Sequence, residues 1–238
     1  MFRYIYYTIL IFFVSVFISC IPASEDQFDE IAVNKIPLST GNKWIYDVTR
    51  GKESYTDSAE ILDYYPYQID EITSKYLFQY KDIHLTLEMA VSDTVRVKLL
   101  EYDNDLLVQY GTEKRDASQS HFLYGTSQIF TDSYPILDYK DPYSNILLSN
   151  SDEYIESVSV EEYYIDSLRI ISGGVAKTLR DTSINCIKTR NVLYGSSYIG
   201  INLSYDLNFY YSEYGILKID GTVNSSSFSA KAVKSVFN

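Results

Sequence analysis

The chain has 238 residues, 46 % of them hydrophobic, and sets 20 Lys and Arg against 32 Asp and Glu for a net charge of −12. That length suits a single β domain of the size that sandwiches and barrels commonly reach, and it allows a substantial core. So acidic a chain argues against nucleic acid or an anionic membrane face as partner.

In chain order, Met1 to Tyr7 carries one positive charge, Arg3, and Ile9 to Ile18 is apolar except for Ser15. A basic start, an apolar run and a small residue at the cut make a secretory signal. The run is too short for a membrane span, which needs about 20 residues. Phe17-Ile18-Ser19-Cys20 resembles a bacterial lipobox. The resemblance implies that residues 1–19 are a cleaved signal peptide and that Cys20 is lipidated and then acylated at its new amine. Several acyl chains give a firm membrane hold. The protein is therefore expected on the outer membrane, at its periplasmic or cell-surface face. Residues 20–36 read as an acidic tether with Glu25, Asp26, Asp29 and Glu30 and little to bury. A β domain is expected over 37–238.

Gly41-Asn42 is turn chemistry, and Trp44, Tyr46 and Val48 alternate onto one face of a strand. Trp44 and Tyr46 are expected in the core. Pro37-Leu38-x-x-Gly41-Asn42-x-Trp44-x-Tyr46 resembles the opening of a large set of Bacteroidota lipoproteins. Their second signature is similar to Tyr211-Ser212-Glu213-Tyr214-Gly215-Ile216-Leu217-Lys218 here. The resemblance implies an antiparallel, strongly curved sheet on a lipid anchor, and it brings no catalytic residues.

The middle of the chain reads as β independently. Ile83, Leu85, Leu87 and Met89 alternate with His84, Thr86 and Glu88; Val95, Val97 and Leu99 alternate with Thr94, Arg96 and Lys98. Those runs predict a hairpin with one buried face and one wet face, His84 and Lys98 on the wet side. Further strands are expected at 76–80, 106–110, 154–160, 184–189, 205–211, 216–219 and 228–236. Residues 112–152 break the rhythm and read as a long aromatic-rich loop insertion. The fold class is all-β, a single antiparallel sheet of roughly 8–11 strands, with the curvature of a half-barrel or open barrel that the resemblance implies.

Chemistry is harder to find. Catalytic signatures such as His-Glu-x-x-His, Gly-x-Ser-x-Gly and a Walker glycine loop are absent from the sequence, and no cofactor or metal is expected. Cys186, alone once Cys20 is lipidated, lies in a strand-like run and is expected to be a buried, inert thiol. The ring-bearing side chains of 112–152, namely His121, Phe122, Tyr124, Phe130, Tyr134, Tyr139 and Tyr143, form the candidate ligand-binding set, because such rings give large contact area with few rotatable bonds. The expected function is a non-enzymatic, membrane-anchored binding module for a protein or glycan. The alternative is a half-barrel carrier or chaperone for a lipid or lipoprotein, and the third reading is a glycan-acting hydrolase.

Overall fold

Alternation becomes strand almost throughout the computed structural model, which describes residues 33–86, 89, 94–116, 127–141, 149–150, 153–198 and 201–238. Among them, β1 (Lys43–Arg50), β2 (Glu53–Gln68), β3 (Ser74–Lys81), β4 (Thr94–Asp103), β5 (Leu106–Asp116) and β6 (Ser127–Asp138) follow one another as antiparallel neighbours. Then come β7 (Ser149–Asn150), β8 (Glu153–Ser172), β9 (Val175–Tyr198), β10 (Ile201–Ser212), β11 (Gly215–Val223) and β12 (Ser226–Phe237). The sheet runs β6-β5-β4-β3-β2-β1-β12-β11-β10-β9-β8-β7, so β12 docks beside β1 and joins the two halves of the chain. The fold is all-β and antiparallel, as the sequence indicates. Its one parallel contact sets Lys234–Phe237 of β12 beside Arg169–Ser172 of β8, which closes the second half partly into a ring.

β1 shows why these residues make this sheet. Trp44, Tyr46 and Val48 are each 1 % exposed, while Asp47 and Thr49 between and beyond them face water. From β1, Trp44 reaches over β12 to the turn between β10 and β11. Its Nε1–H donates to the Tyr214 carbonyl at 2.7 Å, and Ser235 Oγ donates to the same oxygen at 3.0 Å. Tyr46 Oη donates to the Ile216 carbonyl at 2.8 Å. Gly215 lies under the indole with φ +101°, and a Cβ there would fall inside the ring. The N-terminal and C-terminal signatures are thus two halves of one contact. Gly41, at φ +85°, and Asn42 complete it, with Asn42 Nδ2 donating to the Pro37 carbonyl (2.9 Å) and Asn42 Oδ1 accepting the Asn238 amide (3.0 Å).

Several expectations need correction. Over the described residues 83–86 no strand forms to extend the expected hairpin, since β3 ends at Lys81 and pairs directly with β4. The backbone there is taken by side chains instead: Asp57 accepts the His84 amide at 2.5 Å, and Tyr55 Oη donates to the His84 carbonyl at 2.8 Å. His84 is consequently tucked against Asp57 and is not a wet-face residue. Nor does β4 have a wet face at Lys98. Val97 and Leu99 on one side are fully buried, while Lys98 lies on the other beside Leu100 and pairs with Asp82 at 2.9 Å. By alternation Tyr67, Leu77, Val97, Leu99, Val108 and Tyr110 form a second buried cluster, on the face of β2–β5 opposite the main core.

The stretch 112–152 is not simply a loop. β5 continues to Asp116, and β6 occupies Ser127–Asp138, paired antiparallel to β5 through two bulges. Pro135 hides β6 from a periodicity reading, and it is tolerated because β6 is the last strand on its side of the described sheet. The expected tether is packed over its last residues: Val33 and Ile36 are buried in the core. Tyr102 Oη donates to the Ile36 carbonyl (2.8 Å), and the Ile36 amide donates to Tyr139 Oη (3.2 Å).

Gly215→Ala should destabilise the domain by about 2–5 kcal/mol through a disfavoured φ and collision with the indole. Gly173→Ala, in the β8–β9 turn with open space around it, should cost about 1 kcal/mol. Urea unfolding midpoints at matched m-values measure both.

Candidate functional site

A candidate binding site lies inside the curve, where a cavity of about 50 Å³ separates β3–β6 from β8–β11. Its wall is mostly apolar: Leu100 and Leu107 come from one side, Ile155 and Ile216 from the other, and Ile36 and Leu38 from the chain entering the domain. Strand alternation puts them there, since Leu100 and Leu107 have the parity that faces inward while Leu99 and Val108 serve the outer cluster.

Polar groups punctuate this wall. Lys98 brings its Asp82 partner, and Gln109 and Asn191 bring amides. Gln109 Nε2 donates to the Gly111 carbonyl (3.2 Å), and Asn191 Oδ1 accepts from Thr189 Oγ1 (2.7 Å). The Lys98 and Asp82 side chains keep 32 % and 25 % of their exposure, so the ion pair remains hydrated. Burial, reinforced by the negative charge of Asp82, pushes the Tyr46 and Tyr80 phenols well above their ordinary values. Burial also raises Tyr211. These hydroxyls stay protonated at neutral pH and act as hydrogen-bonding groups, not bases. Among the described residues no group of three or more His, Cys, Asp or Glu could hold a metal ion.

Of the expected binding set, Tyr139 does not line this cavity. His121, Phe122, Tyr124 and Tyr143 lie outside the described residues, as does Cys20. Phe130 and Tyr134 belong to β6. Tyr139 is committed to structure: besides holding Ile36, its ring packs edge-on to Tyr102 at 6.0 Å, and burial pushes its phenol up to about 12. Trp44 and Tyr46 are core. Cys186 is fully buried, and burial pushes its thiol up to about 12.

Sequence reasoning missed the cavity because half of its lining comes from β8–β11, brought opposite β3–β6 only by the whole curve. It also missed an aromatic ledge on the β2–β3 hairpin, where Tyr64 stacks against Phe78 (4.4 Å between centroids) and Tyr76 (5.3 Å). The run Tyr64-Tyr65-Pro66-Tyr67 was the available signal, but tyrosine is so abundant, at 25 residues, that one more cluster did not stand out.

The Asp57–His84 pair is the chain's other notable polar contact, with Nδ1 to Oδ2 at 2.8 Å and both side chains largely buried. Burial opposes the Asp57 charge. The His84 side chain and amide, with the Ser58 amide, outweigh that and hold the carboxyl below its usual range. A carboxyl lowered by folding contributes stability above its unfolded pKa of about 3.9. That contribution is lost as pH falls through the folded value. Asp57→Ala should therefore cost about 2 kcal/mol at pH 7, with the gap from the native chain narrowing toward pH 3 in urea titrations. Comparisons with protein-family models, curated proteins and solved structures give no match for this chain.

Proposed function

We propose that the chain is a non-enzymatic binding module of the bacterial envelope, held on the outer membrane through a lipidated Cys20. In this reading the cavity between the two halves of the sheet receives the apolar end of a ligand. The observation that carries it is the apolar, partly aromatic wall with a few polar groups, the usual make-up of a small-molecule site. A space of about 50 Å³ holds only a few waters, so the end of a larger molecule enters and not the whole of it. That favours a carrier-like module over a flat docking surface. The preference for a surface module rested on Thr86, Glu88, Arg96 and Lys98 lying on wet faces; of these, Thr86 is buried and Lys98 lines the cavity.

A binding role also agrees with the state of the groups that catalysis would need. The Tyr46, Tyr80 and Tyr211 phenols are held protonated, the Cys186 thiol is buried, and His84 is engaged with Asp57. The reading in which residues 112–152 take a protein or glycan partner loses one of its seven rings, because Tyr139 clasps Ile36.

The test is mass spectrometry of small molecules that co-purify with the full-length protein from its native host, beside Leu107→Phe, which fills part of the cavity. The native chain should carry an apolar ligand. The variant should lose it while keeping or raising its unfolding midpoint. A native chain without ligand, or equal loading of both proteins, contradicts the proposal.

A further inference from the structure

The turn joining β2 to β3 holds an apolar side chain out in solvent on a rigid support. Ile72 is 93 % exposed. Beneath it, Asp70 Oδ1 accepts the amides of Ile72 (2.8 Å) and Thr73 (2.7 Å), and the Ile69 amide donates to the Thr73 carbonyl (2.8 Å). Gln68 Nε2 donates to the Asp70 carbonyl (2.7 Å) and Ser74 Oγ to Gln68 Oε1 (2.7 Å). Behind this tip stand half-exposed tyrosines, Tyr64 and Tyr76 on one face of the hairpin and Tyr65 on the other. An apolar tip followed by rings with polar ends suits a boundary between hydrocarbon and water.

The hairpin also lies at the end of the domain where the chain enters. Glu60 of β2 pairs with Lys43, the first residue of β1, so residues 61–68 run on past the start of β1. Lys35 binds the β4–β5 turn through the Asn104 carbonyl (2.6 Å) and Asp105 (2.8 Å). Strand β4 in turn meets the hairpin close to its tip, with Glu101 on Lys75 at 2.8 Å. Cys20 precedes Val33 by 13 positions, a reach of at most about 45 Å.

We propose that the β2–β3 hairpin docks on the membrane that carries the anchor, with Ile72 in the boundary between headgroups and acyl chains and Tyr64, Tyr65 and Tyr76 at the headgroup level. The inference rests on the lipid-anchor reading of Cys20. It names a zwitterionic surface, because Asp70 and Glu71 flank the tip and the chain carries −12 overall, so anionic lipid repels it. Docking would hold the domain in one orientation and turn the ring-closing half of the sheet to a fixed position over the bilayer.

Full-length lipidated protein in phosphatidylethanolamine–phosphatidylcholine vesicles tests this, with an environment-sensitive fluorophore on Ile72→Cys. Ser225→Cys, in the β11–β12 turn at the opposite end, is the control; the buried Cys186 stays unlabelled. The label at 72 should shift to the blue and be quenched severalfold more by brominated lipid than the label at 225, and anionic lipid should reduce the difference. A vesicle-bound protein whose label at 72 stays aqueous overturns the docking while leaving the anchor intact. So does a label at 72 that is shielded yet not quenched by brominated lipid, which would mark a protein partner or second copy. Binding that survives Cys20→Ala unchanged, or a chain with Cys20 that does not stay on vesicles, overturns the anchor and the docking with it.

Discussion

The Trp44 indole, lying on the backbone of Gly215 with its N–H on the Tyr214 carbonyl, is the contact on which the rest of the sheet depends. A side chain from β1 crosses a whole strand, β12, to grip the turn between β10 and β11. Crossing requires a small residue beneath it, and Ser235, directly paired with Trp44 and fully buried, supplies one. It also requires a turn without a Cβ. The same indole meets the Phe237 ring edge-on at 6.2 Å and the Tyr80 ring at 6.3 Å. Phe237 is the last β12 residue paired in parallel to β8, and Tyr80 stands on the cavity wall. One side chain therefore ties the first strand, the ring closure and the cavity together.

From that tie follows an asymmetry between the two halves. The middle strands β3–β5 bury both faces over much of their length, the inner against the main core and the outer around Leu77, Val97 and Leu99. A strand buried on both faces presents its pleat to two environments at once, so Lys98 and Gln109 appear inside a predominantly apolar wall. Their cost is offset by pairing, Lys98 with Asp82 and Gln109 with a backbone carbonyl. Such placed polar groups orient a ligand more than they add affinity, and this is the physical content of the proposed binding role.

Strand positions with period-two burial were legible in the sequence: Trp44-Tyr46-Val48, the run 205–211, and the C-terminal strand. Failure came where side chains competed with the ladder for the backbone. His84 has the alternation of a strand, yet Asp57 and Tyr55 take its amide and carbonyl, both far away in sequence terms from any local pattern. β6 was obscured by Pro135 and two bulges. β8 and β9 run 20 and 24 residues, far longer than their apolar cores at 154–160 and 184–189. Beyond those cores Ile165, Leu168, Ile170, Val192 and Leu193 are buried as well, while 175–183 is largely exposed and is held extended by its pairing with β8. The parallel β8–β12 contact and the cavity exist only once the sheet has curved, and no window of sequence contains them.

Trp44 is the chain's one tryptophan, so its indole N–H gives a single NMR signal whose hydrogen exchange reports directly on the grip. If the contact with Tyr214 and Gly215 holds the sheet together, that proton exchanges only when the whole domain unfolds, and its protection falls with denaturant as steeply as global stability does. Exchange that is fast, or that is indifferent to denaturant while the strands stay protected, would show the indole opening on its own and would contradict the central place given to it.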